Sequence, residues 1–176
     1  MLSSHKVISE TIAIERLAEI RGRFRETIAT GFEHRAKSCE TCETRGVCCL
    51  DAHFVNVRIS RLEAVAIDRA ITDLREPLQS EIRERIDQSI ERFGLDESKP
   101  DKTYACPLFD RDIGCAVHNT AKPLPCINHA CYERREDLPP DKLLDEAELE
   151  IDELNRKVYG RSQPLTSLPV AIKREN

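Results

Sequence analysis

The chain has 176 residues, 34% charged and 40% hydrophobic, with a formal charge of −5, eight Cys and no Trp. That length suits one domain of about 150 residues or slightly more, and no apolar run approaches the roughly 20 residues of a membrane span. Glu10, Glu15 and Glu19 interrupt the stretch where a secretory signal needs unbroken apolar residues, so a cytoplasmic protein is expected, and the acidic balance argues against nucleic-acid binding, which draws on Lys and Arg.

Ile14, Leu17, Ile20, Phe24 and Ile28 recur at steps of three and four, predicting a helix from Ser9 to Phe32 that stops near Gly31. Glu19 and Arg23 are spaced to pair on its surface. Arg21, Arg23, Arg25, Arg35, Lys37 and Arg45 make the one basic region, read as a solvated face. A cysteine-rich stretch, Cys39 to Cys49, follows without regular periodicity. Phe54 to Ile59 alternates apolar and polar residues and predicts one short strand.

Ser60-Arg61-Leu62-Glu63 matches a capping box and opens a helix carrying Leu62, Val65, Ala66, Ala70 and Leu74. Pro77 interrupts that helix or opens the next, whose apolar face is Leu78, Ile82, Ile86, Ile90 and Phe93, ended by Gly94. Asp96 to Thr103 reads as an exposed connection. Pro107, Gly114, Pro123 and Pro125 forbid a long helix across the second cysteine group. After Pro139-Pro140, the residues Leu144, Ala147, Ile151, Leu154 and Val158 line one face of a helix ending near Gly160. That face is expected to pack on the body, with a partner-binding seam as the alternative. The tail beyond Gly160, with Pro164 and Pro169, is expected to lie loose or drape over the surface. The chain therefore reads as mainly α with one or two short strands, an irregular cysteine-rich core flanked by helices. Its divisions are residues 1–38, 39–132 and 133–176, expected to form one compact unit.

Chemistry is concentrated in the cysteines: Cys39-x2-Cys42-x5-Cys48-Cys49, then Cys106, Cys115, Cys126 and Cys131. In a reducing compartment clustered thiols point to metal ligation or catalysis more than to disulfides. A Cys-x2-Cys loop turns two sulfurs toward one point, where a metal about 2.3 Å from each can hold both. Thiolates select zinc, copper(I) or iron–sulfur over magnesium or calcium. Adjacent side chains diverge, so one of Cys48 and Cys49 is expected to ligate while the other packs or serves a second centre; Cys49 is the weaker candidate. His118 and His129 are further candidate ligands, ahead of His5, His34 and His53.

Cys39-x2-Cys42 with Cys48-Cys49, the alternating strand and the Ser-x-x-Glu helix start resemble the opening of the YkgJ-type cysteine-cluster (CxxCxxCC) family. Cys106-Pro107-Leu108, Gly114-Cys115-x-Val117-His118, Lys122-Pro123-x2-Cys126 and Cys131 are similar to its second half, so the resemblance covers residues 39–132. Five residues separate Cys42 from Cys48 where the family has about two, His118 stands at its usual Tyr, Lys122 at its Arg, and Ile127 where Arg commonly follows Cys126. The resemblance implies a zinc- or iron-chelating domain, and some members look like flagellin lysine methylases.

The leading expectation is thus a metal-chelating protein binding zinc or an iron or iron–sulfur centre, in a structural, redox or metal-handling role. An alternative is a zinc-stapled module that binds another protein through the Leu144–Val158 face and the basic stretch. A third is an enzyme, either lysine methylase-like or an iron-dependent redox catalyst. No Gly-rich turn follows a strand to cradle a nucleotide cofactor.

Overall fold

The computed structural model describes residues 7–53 and 55–176. Over these the chain is mainly helical, 57% helix and 7% strand, with seven helices and three two-stranded pairings. Helix α1 (Glu10–Gly31) starts at Ser9, whose hydroxyl accepts the Ile12 N–H at 3.3 Å, and buries Ala13, Leu17, Ile20, Phe24 and Ile28. Short pieces follow: β1 (Ala36–Lys37), a 3-10 turn at Cys39–Thr41, and α2 (Val47–Leu50), which Gly46 begins. Strand β2 (Arg58–Ile59) is shorter than the expected Phe54–Ile59 element; residues 55–57 are not strand, and Phe54 lies outside the described residues.

The capping box forms as the sequence predicts. The Ser60 hydroxyl accepts the Glu63 N–H at 3.3 Å while the Glu63 carboxylate accepts the Ser60 N–H at 2.9 Å, opening α3 (Arg61–Thr72). Pro77 lies in the first turn of a separate helix, α4 (Glu76–Phe93), which Gly94 closes in the left-handed conformation. The hairpin β3 (Phe109–Asp110) and β4 (Gly114–Cys115), then α5 (Leu124–Asn128) and β5 (Cys131–Tyr132), carry the second cysteine group. Helix α6 (Asp141–Tyr159), β6 (Thr166–Ser167) and α7 (Leu168–Glu175) complete the chain.

Two apolar cores meet along α3. Its Ala64, Ile67 and Ile71 face α4, α7 and the Leu95–Ala121 segment, with Ile82, Ile86, Tyr104 and Ile172 buried there. Its Leu62 and Ala66 face the other way, into the side chains of α1, α5 and α6. Among the described residues no helix is long and apolar enough to cross a membrane.

Three local expectations need correction. The tail after Gly160 is neither loose nor merely draped: β6 pairs antiparallel with β2, and Leu168, Pro169, Val170, Ala171 and Ile172 are buried. Pro169 stands in the first helical turn, where a missing N–H costs nothing, and the apolar run beside it closes the α3–α4 core. Arg23 pairs with Glu150 of α6 at 2.6 Å, across the helix interface, and not with Glu19. Arg21 is not a solvated cation: it is 6% exposed and faces the Glu63 carboxylate. The Ala147, Ile151 and Leu154 face of α6 packs on the body, as its periodicity predicts.

Candidate metal centre

The eight cysteines, all free thiols, come from six short stretches: the 3-10 turn, α2, the turn before β3, β4, α5 and β5. Two groups of them act on one another, joined through Cys48, which acts on both Cys49 and Cys131. Cys49, Cys106, Cys115 and Cys126 come from α2, the turn before β3, β4 and α5. The Cys106 N–H donates to the Cys49 carbonyl at 2.8 Å, tying the first cysteine group to the second. The β3–β4 register sets Cys115 opposite Phe109, three residues after Cys106. Cys106 and Cys115 both pack against the α3–α4 core.

These four sulfurs lie in one another's field. Burial, then the neighbouring Cys48, Cys106 and Cys115, raises the Cys49 thiol. Burial, then Cys106, Cys115 and Cys49, raises Cys126 well above its ordinary value. Burial pushes Cys106 up to about 12 and raises Cys115. A buried thiolate is costly unless something compensates its charge.

Groups that favour the anionic form are nevertheless built in. The Leu108 and Phe109 N–H groups point at the Cys106 sulfur, and the Val117 N–H at that of Cys115. Lys122 draws both Cys115 and Cys126 downward. Arg85 of α4 does the same for Cys106, and its partly buried guanidinium reaches Phe109 O at 3.4 Å and Asp110 Oδ2 at 3.3 Å. Its Nε and Nη2 meet no acceptor among the described residues. N–H donors and cations around partly buried sulfur suit a thiolate ligand set, whose charge a soft cation would neutralise.

The second set is Cys39, Cys42, Cys48 and Cys131. Cys39 begins the 3-10 turn and Cys42 caps it, the Cys42 N–H donating to the Cys39 carbonyl at 3.4 Å. The Cys42 sulfur lies 3.7 Å from Thr44 Oγ1. Strand β1 pairs antiparallel with β5 so that Lys37, two residues before Cys39, stands opposite Cys131. The Cys131 thiol is raised by burial and then by Cys39, Cys48 and Cys42, against the pull of Lys37. Lys37 is itself held by Glu133 at 2.6 Å on an exposed surface.

The two members of the vicinal pair act on each other, the Cys48 thiol being both the first sulfur neighbour and a hydrogen-bond partner of Cys49, while Cys48 also acts on Cys131. Among the described residues no group of three or more His, Cys, Asp or Glu side chains is placed to hold a metal ion. Burial raises the thiols of Cys49, Cys106, Cys115, Cys126 and Cys131 above their ordinary value. His118 and His129 are exposed, and partial burial followed by the Lys122 charge lowers both imidazoles. The His118 carbonyl accepts from Arg25 at 2.8 Å, His34 sits beside Arg35, and the His53 N–H donates to Asp51 at 2.9 Å. His5 lies outside the described residues. Arg85 is the neighbour that sequence reading missed; its only signal is a position beside Ile86 on the edge of an apolar helix face.

A scan against protein-family models matches no family, and searches of curated proteins and of solved structures return no match for this chain.

Proposed function

We propose that the chain is a metal-chelating protein that holds zinc or iron through its clustered cysteine thiolates. One observation supports this reading: Cys49, Cys106, Cys115 and Cys126, separated by up to 77 positions, lie in one another's electrostatic field, with backbone N–H groups and the Arg85 and Lys122 charges acting on them. A neutral core of that size would be built more cheaply from aliphatic side chains, which need neither donors nor cations. A tetrathiolate with a divalent ion carries net negative charge, and Arg85 and Lys122 compensate it. Bound metal would supply folding energy where Gly, Pro and polar residues give little core, of order 10 kcal/mol for structural zinc in small peptides. The Cys-Pro step at Cys106 also suits an iron–sulfur ligand, since ferredoxin ligand runs end in such a step.

Anaerobic purification followed by elemental analysis is the test. Zinc or iron in stoichiometric amount is expected. Visible charge-transfer absorption with iron and labile sulfide selects iron–sulfur, and a colourless zinc protein selects zinc. Protein folded and free of both metals would overturn the proposal.

A further inference from the structure

We propose that Cys39 and Cys42 form a dithiol–disulfide site that exchanges two electrons with low-molecular-weight disulfides, independently of whether the other thiols hold metal. The turn supplies the geometry. Cys39–Thr41 is a 3-10 turn whose closing bond runs from the Cys42 N–H to the Cys39 carbonyl at 3.4 Å. Side chains three residues apart eclipse in such a turn, and three residues advance the chain by about 6 Å. That puts the two Cα atoms within the roughly 4.4–6.8 Å that a disulfide spans, with both side chains on one side of the turn. Local bonds hold the turn before any sulfur–sulfur bond forms. The Ser38 hydroxyl accepts the Glu40 N–H at 3.2 Å, and the Thr41 hydroxyl donates to the Ser38 carbonyl at 3.3 Å. Strand β1, ending at Lys37, ties the turn to β5.

Access separates this pair from the other thiols. Cys39 alone among the eight cysteines is exposed, with Glu40, Thr41 and Glu43 exposed around it, and Cys42 is half-buried. Cys106 and Cys115, by contrast, pack against the α3–α4 core, and burial pushes their thiols up, leaving less of the thiolate that attacks a disulfide. The exchange takes two steps. The Cys39 thiolate attacks one sulfur of the incoming disulfide, whose S–S bond breaks and whose other half leaves as a thiolate. The Cys42 thiolate then attacks the Cys39 sulfur, forming the Cys39–Cys42 bond and expelling the half that was attached. The pair loses two electrons and two protons, and both appear in the two thiols released.

Trypsin cuts after Lys37 and Arg45, so the peptide Ser38–Arg45 carries Cys39 and Cys42 and no other cysteine. The full chain, treated with a chelator and equilibrated anaerobically with reduced and oxidised glutathione, is alkylated, digested and weighed by mass spectrometry. The internal disulfide is expected in this peptide, formed at least ~10-fold faster than oxidation at Cys106 or Cys115. Its equilibrium constant with glutathione should be at least ~10-fold larger in the folded chain than in guanidinium, because the turn already holds the two sulfurs close. The variant C42S should stop at a glutathione adduct on Cys39. A peptide that stays reduced, a bond from Cys39 or Cys42 to another cysteine, equal constants in folded and denatured chain, or no adduct in C42S overturns the proposal. Each of those results leaves the metal-binding reading standing, since metal content decides that separately.

Discussion

At Gly46 the backbone φ is +84°, and a Cβ added there would run into the Phe109 ring. The glycine thereby lets α2, with Cys48 and Cys49, lie directly against β3. Gly114 has a similar φ, +82°, but open space around it. Gly46→Ala is therefore expected to lose about 2–3 kcal/mol, strain plus collision, and Gly114→Ala only about 1 kcal/mol. Urea denaturation of both variants checks the ordering, and equal losses would show that the Phe109 contact is unimportant. Glu63 gives a pH prediction. Burial raises its carboxyl despite the Ser60 donors and Arg21, so the folded state binds its proton more tightly than the unfolded state. Stability from this group is complete below the ordinary glutamate value of about 4.3 and is lost as pH rises through the raised one. Glu148, raised by burial and then by Glu63, adds to the same window. Glu63→Gln removes the Glu63 contribution, so the wild type should lose stability relative to the variant from pH ~4.3 upward. Denaturant titrations of both proteins across that range would contradict the assignment if the wild type gained instead.

The start of α3 shows how elements depend on each other. Three of its N-terminal donors are met: Ser60 and Glu63 by each other, and the Leu62 N–H by Asn155 Oδ1 at 3.1 Å. Asn155 is buried in α6 and donates through Nδ2 to the Ile151 carbonyl at 2.9 Å. Asn155→Ala would leave a buried N–H without an acceptor and should cost about 1–3 kcal/mol, whereas Ser60→Ala should cost about 1. Thermal melts at fixed metal content measure both. The Ser60–Glu63 box is legible in sequence because it closes within four residues; the cap from Asn155 crosses 93 positions, and nothing local announces it. The same limit explains α7. Its apolar run is too short to show a helical period, and only the exposed flank of α3 and α4 gives it something to cover.

For the whole molecule, the proposed metal binding implies that the two helical cores and the cysteine end differ in their dependence on metal. Helices α1, α3 and α6 bury a continuous apolar interface. The segments from 36 to 50 and from 106 to 132 contain no helix longer than five residues. If the thiols hold metal as proposed, removing it anaerobically should abolish amide-exchange protection in those segments while protection in α1 and α6 persists. Exchange measured by mass spectrometry decides this, and uniform protection before and after chelation would contradict it. Tyr104 marks the joint: its hydroxyl donates to the Val57 carbonyl and accepts the Leu168 N–H at 3.3 Å, linking the cysteine end to β2 and α7.

Periodicity, caps and proline positions by themselves determined that the chain is mainly helical, where α1, α4 and α6 run, and that eight thiols sit in two irregular windows, because those signals act over a few residues. Only the tertiary structure decided which thiols act on one another, that Arg21 is buried against Glu63, and that the tail closes a core. Each of those depends on side chains meeting across tens of residues, where the favourable contact lies in the packed chain and leaves no mark on the local pattern.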